Sequence, residues 1–237
     1  YKDVVELLAF MHRACEAPDP TCIVYQRRFD AALLAWELDH FREWGLEALY
    51  GPLPADTRQE LQTCFETITK RILEIPEGFC HRDFQSRNLM RTPHRSHGQV
   101  TGGPAQHQPG PWTLIDFQDA LIGPRPYDLA ALLCDSYLTL EPELQTLLIE
   151  HYTDTLHLDQ AEKHRFIEDF WWVALQRKLK DAGRFIFIDR VRKNPAFLPY
   201  YVPSLQYVAR ALAHRQGLEP LKMLVSQSLE RYGTLPD

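Results

Sequence analysis

The stretch Cys80-His81-Arg82-Asp83-Phe84-Gln85-Ser86-Arg87-Asn88-Leu89-Met90 sets an Asp and an Asn five residues apart, directly after a His-Arg pair. Farther along, Leu114-Ile115-Asp116-Phe117-Gln118-Asp119-Ala120 carries a second acidic element. These residue types suit phosphoryl transfer, which needs little covalent help from a protein. It needs cations bridging phosphate oxygens and a group that orients the attacking hydroxyl. Mg²⁺ takes hard oxygen ligands, which Asn88 and Asp116 supply. Asp83 is the candidate carboxylate for the proton of an acceptor hydroxyl. The five-residue offset lets one loop set Asp83 at the acceptor and Asn88 at the metal. A hairpin bringing 88–91 beside 113–116 would set Asn88 close to Asp116.

The two halves spell HRDxxxxN followed by DF, the order in which kinase-like phosphotransferases present their base and metal ligands. Around them stand residues with two readings each. Arg87 could neutralise charge on a transferring phosphate or serve as an ordinary surface or carboxylate-pairing residue. Asp119 is either a further metal carboxylate or a turn residue. His81 reads as a structural hydrogen-bonding residue more readily than as a catalyst. Asp128, at a helix start, reads as an N-cap or a loop brace.

Composition bounds the rest. At 237 residues, with 45% hydrophobic and 24% charged residues, the chain can bury a large core and is ordinary for a globular protein. A formal charge of −6 offers no basic field to collect nucleic acid. No apolar run approaches the ~20 residues of a membrane-spanning helix, and no signal-peptide pattern follows Tyr1. The five cysteines are scattered without zinc spacing, and the ten histidines are equally dispersed. Reduced thiols and a cytoplasmic location are the simplest account.

Apolar periodicity predicts a helix over 3–15 through Val4, Val5, Leu7, Leu8, Phe10 and Met11, and a second over 30–49. A third, capped by Asp56 or Thr57, carries a core stripe of Leu61, Cys64, Phe65, Ile68, Ile72 and Leu73. Pro76-Glu77-Gly78 should stop it. Two short strands, Leu89–Arg91 and Thr113–Ile115, should flank an exposed, disordered loop over about 92–111, rich in Gly, Pro, Gln and His. Gly123-Pro124-Arg125-Pro126 reads as a turn before a buried helix from Tyr127. Helices near 142–156, 159–182, 184–193, 199–216 and 219–232 complete the chain.

The segments HRDFQSRNLM, LIDFQDALIGPRPYDLAALLCDSY and WELDHFREWGLEALYG resemble the aminoglycoside phosphotransferase-type kinase family. Within it they are most similar to the bacterial branch that phosphorylates the anomeric hydroxyl of N-acetylmuramate and N-acetylglucosamine. The resemblance covers residues 30–140 well and the helical tail only in general character. It implies an α+β, protein-kinase-like fold, of which 1–237 is the mainly helical C-lobe with a small β-hairpin. It implies Asp83 as base, Asn88 and Asp116 as ligands of Mg²⁺ beside ATP, and a small amino sugar as partner. Acceptor sugars of this family lie against the helical lobe, so Glu37 and Trp44 are candidate acceptor contacts; core packing is the other reading of Phe41 and Trp44. Nothing before the first helix resembles the β-rich nucleotide lobe or its ATP-pairing Lys, so this chain alone is expected to turn over little. An aminoglycoside or other metabolite as acceptor, a non-catalytic kinase-like binding module, and a metal-dependent phosphohydrolase using Asp83, Asp116 and His81 remain as alternatives. The last is short of His and carboxylate ligands.

Overall fold

The computed structural model describes residues 1–91, 112–213 and 215–232. The loop expected over 92–111 therefore lies outside the described residues. Helix α1 (Lys2–Ala14) buries Val4, Val5, Leu8 and Ala9, while Phe10 turns outward. Asp30 caps α2 (Ala31–His40) by accepting from the Leu33 amide at 2.8 Å. The helix then widens into π-type turns over Phe41–Glu47, which lead into the short α3 (Ala48–Tyr50). Gly51, at φ +88°, stops it as only glycine does without steric cost. The predicted 30–49 helix is thus present with its middle re-phased.

Helix α4 (Ala55–Leu73) starts after Pro54, not at a side-chain cap from Asp56 or Thr57. Leu61, Cys64, Phe65, Ile68 and Ile72 form its buried stripe, but Leu73 is exposed. Leu73 follows Ile72 by 100° around the helix and so leaves the core-facing stripe.

Four short strands follow. β1 (Glu77–Cys80) pairs antiparallel with β4 (Leu121–Pro124), and β2 (Leu89–Arg91) pairs with β3 (Trp112–Leu114). The second pair is the expected hairpin, one residue earlier at its second strand. The first was not expected: 76–78 and 123–126 read as breakers from their Gly and Pro content. Gly123 is needed for packing, since a Cβ there would lie 2.5 Å from the Phe29 ring. Backbone bonds between Arg27, Phe29 and Ile122 tie the chain before α2 onto β4.

α5 (Tyr127–Leu133) is buried on every side. After α6 (Pro142–Thr155), a capping box of Asp159 and Glu162 opens α7 (Gln160–Arg192), 33 residues long. Sequence reading broke this helix at Gly183, yet it runs straight through. A Cβ at Gly183 would lie 2.8 Å from both the His40 carbonyl oxygen and Phe41 Cα. Glycine is there to let α7 cross the α2–π segment backbone to backbone, not to end a helix. A 3₁₀ turn (Pro195–Tyr200), α8 (Tyr201–Leu212) and α9 (Glu219–Tyr232) close the helical body around α7. α8 is shorter at both ends than the expected 199–216.

The architecture is mainly helical with two small antiparallel ladders, the α+β class expected. Among the described residues no helix is long and apolar enough to cross a membrane. All five cysteines are free thiols.

Candidate active site

The loop after β1 is bent sharply at Arg82, whose φ is +73°. A non-glycine residue in this region costs about 1–3 kcal/mol and persists only where its surroundings over-determine it. They do. Asp128, 0% exposed near the start of α5, accepts from the His81 amide at 2.7 Å and the Arg82 amide at 2.9 Å. Arg177 of α7 donates to the Arg82 carbonyl oxygen at 2.7 Å. The Arg82 guanidinium donates to Glu37 of α2 at 2.9 Å, and Glu37 also accepts from Gln176 at 2.7 Å. His12 of α1 lies 3.3 Å from Asp128 and 2.6 Å from the Tyr152 hydroxyl oxygen.

This bracing presents Asp83. Its side chain is 35% exposed and lies 3.7 Å from the Arg177 guanidinium. That distance steers a carboxylate without making a hydrogen bond, so its oxygens remain able to accept a proton. The Asn88 amide donates to the Asp83 carbonyl oxygen at 2.9 Å and sits 3.5 Å from Asp116 Oδ2. The Ile115 amide donates to the Asn88 carbonyl oxygen at 3.1 Å, so the β2–β3 hairpin itself carries Asn88 to Asp116. Asp116 stands at φ +71°, with Gln118 donating to its other carboxylate oxygen at 2.7 Å. Asp135 fixes the intervening turn: it accepts from the Ser86 amide at 3.0 Å and from the Tyr137 amide at 2.9 Å.

The donor set fits a hard divalent cation. The Asn88 NH2 faces the Asp83 carbonyl and Asp116, which leaves Oδ1 as its acceptor for a cation, and Asp116 adds carboxylate oxygen. Among the described residues no three His, Cys, Asp or Glu side chains gather as a metal cage. Two protein ligands, with phosphate oxygens and water completing the shell, are what Mg²⁺ accepts and zinc does not.

Asp83 opens onto a cavity of about 390 Å³ between α2, α7 and the 135–137 turn. Here the structure departs from several sequence-predicted roles. Arg87 is stacked 3.7 Å from the centroid of the Tyr137 ring and donates to the Tyr200 hydroxyl at 3.0 Å, so its fork is engaged with aromatics on the outside of the turn. The guanidinium brought to Asp83 is Arg177's. Asp119 is half-exposed, lies 3.7 Å from Arg27 and lines the same cavity as Asp83. Glu37 lines the cavity, yet both its oxygens are held by Arg82 and Gln176. Trp44 packs edge-on against Phe187 with centroids 5.2 Å apart, while Trp36, 60% exposed, lines the cavity. His40 lies between the two, stacked on Trp36 at 5.6 Å and 6.3 Å from the Trp44 ring centroid. Sequence reading missed Arg177, Lys178 and Asp135 altogether. Lys178 is buried and bonded to Ser136 and Asp181.

A model of the family described as "phosphotransferase enzyme family" (APH) matches residues 1–167. The chain belongs to this phosphotransferase family. Asp83, Asn88 and Asp116 all fall inside the matched region, whereas Arg177 and Lys178 lie beyond it. An N-acetylmuramate/N-acetylglucosamine kinase of Neisseria meningitidis serogroup B is 31% identical over 205 residues, 83% of this chain and 56% of the relative. Proteins of the same name are 29% identical over 204 residues in Pseudomonas aeruginosa (84% and 55%) and 25% identical over 236 residues in Pseudomonas putida (96% and 62%). The chain thus spans between 55% and 62% of the length of these three relatives.

His81 is buried beside Phe84. Its ring is 1% exposed, meets Phe84 edge-on at 6.3 Å, and neither ring nitrogen has a partner among the described residues. Burial pushes its pKa below the ordinary value, and the attraction of Asp128, Asp83 and Asp116 only partly offsets this. A depressed histidine contributes stability that is present above the unfolded pKa of about 6.5 and is lost as pH falls towards the folded pKa. Below about pH 6.5 the wild type should therefore lose stability more steeply than His81→Gln in urea titrations. Parallel slopes would remove the buried neutral ring from the account.

Proposed function

We propose that this chain carries the acceptor and metal side of an ATP-dependent kinase that phosphorylates a hydroxyl, the anomeric one, of an amino sugar of the N-acetylmuramate/N-acetylglucosamine type. The observation that carries the reading is the Asn88 amide, which ties the Asp83 backbone to the Asp116 carboxylate in one unit. That unit fits one hydroxyl acceptor and one phosphate-bound cation side by side. The names of the three relatives supply the sugar class.

Asp83 accepts the proton of the acceptor hydroxyl as its oxygen bonds to the γ-phosphorus, and the bond from that phosphorus to the bridging oxygen breaks to release ADP. Arg177 keeps Asp83 oriented and compensates the carboxylate from outside hydrogen-bond range. Asn88 and Asp116 would hold Mg²⁺, which when bound neutralises phosphate charge. In this reading residues 1–237 form the helical lobe of a kinase-like enzyme working in the cytoplasm, and a lobe outside this sequence supplies most nucleotide contacts. The cavity lining carries as many cationic as acidic side chains, which favours an amino sugar over a polycationic aminoglycoside.

The test is ATP-dependent turnover with N-acetylmuramate, N-acetylglucosamine and kanamycin, assayed on the chain alone and on the full-length protein containing it. The expected result is sugar phosphorylation by the full-length protein and little by the chain alone. Phosphorylation of kanamycin only moves the reading to aminoglycosides. Absence of turnover on all three favours a kinase-like binding module.

A further inference from the structure

Among the described residues, the cations lining the acceptor cavity pair with acids, with one exception. Arg82 is bonded to Glu37 at 2.9 Å, and Arg177 faces Asp83 at 3.7 Å. Lys178 and Lys180 share Asp181, at 2.9 and 3.6 Å. Arg184, the next cation on the same face of α7, lines the cavity and has no carboxylate within ion-pair distance among the described residues. Its guanidinium lies 5.1 Å from the Phe187 ring centroid, and Arg192 approaches the same ring at 5.9 Å. Burial and that second cation both depress its pKa. A partly desolvated guanidinium beside another, with no acid in ion-pair range among the described residues, favours an anionic group.

Its surroundings complete a binding surface. Trp36 lies 60% exposed on the cavity wall, stacked on His40 with ring centroids 5.6 Å apart. A broad exposed indole face suits the C–H face of a sugar ring. His40 Nε2 is buried without a hydrogen-bond partner among the described residues. Seven residues separate Arg177 from Arg184, about 10 Å along the helix axis. The cation thus stands one substituted sugar away from the Asp83–Arg177 pair.

We propose that Arg184 is a specificity residue that binds a carboxylate borne by the acceptor sugar, with Trp36 stacking on the ring. This rests on the amino-sugar reading and deepens it. N-acetylmuramate carries a lactyl carboxylate that N-acetylglucosamine lacks, so the two sugars differ in the group Arg184 recognises. Arg184 meets the substituent and not the reacting hydroxyl, so it separates acceptors by binding more than by chemistry.

The test is tryptophan-fluorescence or calorimetric titration of the chain with each sugar, which needs no turnover. Wild type should bind N-acetylmuramate about tenfold or more tightly than N-acetylglucosamine, as a charge-assisted hydrogen bond allows. The preference should shrink with added salt. Arg184→Gln should abolish the preference while leaving N-acetylglucosamine binding unchanged, and Arg184→Lys should restore part of it. Trp36→Ala, followed by calorimetry, should weaken both sugars alike. If both sugars bind and Arg184→Gln leaves their ratio as in wild type, the assignment falls while the amino-sugar reading stands. If neither binds, both fall.

Discussion

Asp83→Asn should lower kcat for sugar phosphorylation about 10²–10⁴-fold in the full-length protein, the range supplied by a positioned general base. At 1.36 kcal/mol per decade this is about 3–5 kcal/mol of barrier. Asn keeps the shape of Asp and cannot take the hydroxyl proton, so KM for the sugar should hardly change. Stability should hardly change either. The Asp83 side chain is one-third exposed, and Arg177 keeps its bond to the Arg82 carbonyl oxygen when the charge at 83 is removed. Wild-type kcat in Asp83→Asn would remove Asp83 from the chemistry. A fall in kcat accompanied by a lower melting temperature would instead mark it as a structural loop residue.

The largest effect on stability is expected at Asp128. Asp128→Ala withdraws one carboxylate from two loop amides and leaves them without acceptors, the His81 amide in a wholly buried site. Charge-assisted bonds of this kind and the stranded donors together amount to about 3–5 kcal/mol. That is a large share of the 5–15 kcal/mol typical of a folded protein. The strained Arg82 backbone would also relax, since one of the two amides that hold it belongs to Arg82 itself. Urea denaturation should show the full loss in Asp128→Ala. Asp128→Asn retains one carbonyl oxygen, can satisfy one amide, and should lose about half as much. Equal, small losses in both variants would mean that the loop is held by Arg177 and Glu37 alone.

The two halves of the site differed sharply in how far they could be read from sequence. Asp83, Asn88 and Asp116 were legible because local structure brings them together. A five-residue turn and a three-residue hairpin ladder, with Leu89 opposite Leu114, are sufficient. Asp128 was legible as a loop brace because an acid after Gly-Pro-Arg-Pro-Tyr at a helix start has few other uses. Misreadings came where Gly and Pro carry packing roles. Gly183 marks a close helix crossing, and Gly123 and Pro124 lie inside a buried ladder. A local pattern cannot tell a glycine that frees the backbone from one that makes room for a neighbour.

Arg177 and Lys178 were illegible for a different reason. The run Arg177-Lys178-Leu179-Lys180-Asp181 looks like the solvated face of a long helix, where charges ordinarily lie. Packing of α7 against α5 and α2 turns part of that run inward and buries Arg177 and Lys178. Likewise no periodicity count shows that Trp36 lines the cavity while Trp44 packs on Phe187, because both depend on contacts with the distant α7. The sequence by itself determined the family and the closeness of Asp83, Asn88 and Asp116, since these depend on residue type and short spacing. Tertiary structure alone decided which cations face the acceptor cavity, because burial of a charge depends on partners distant in the chain.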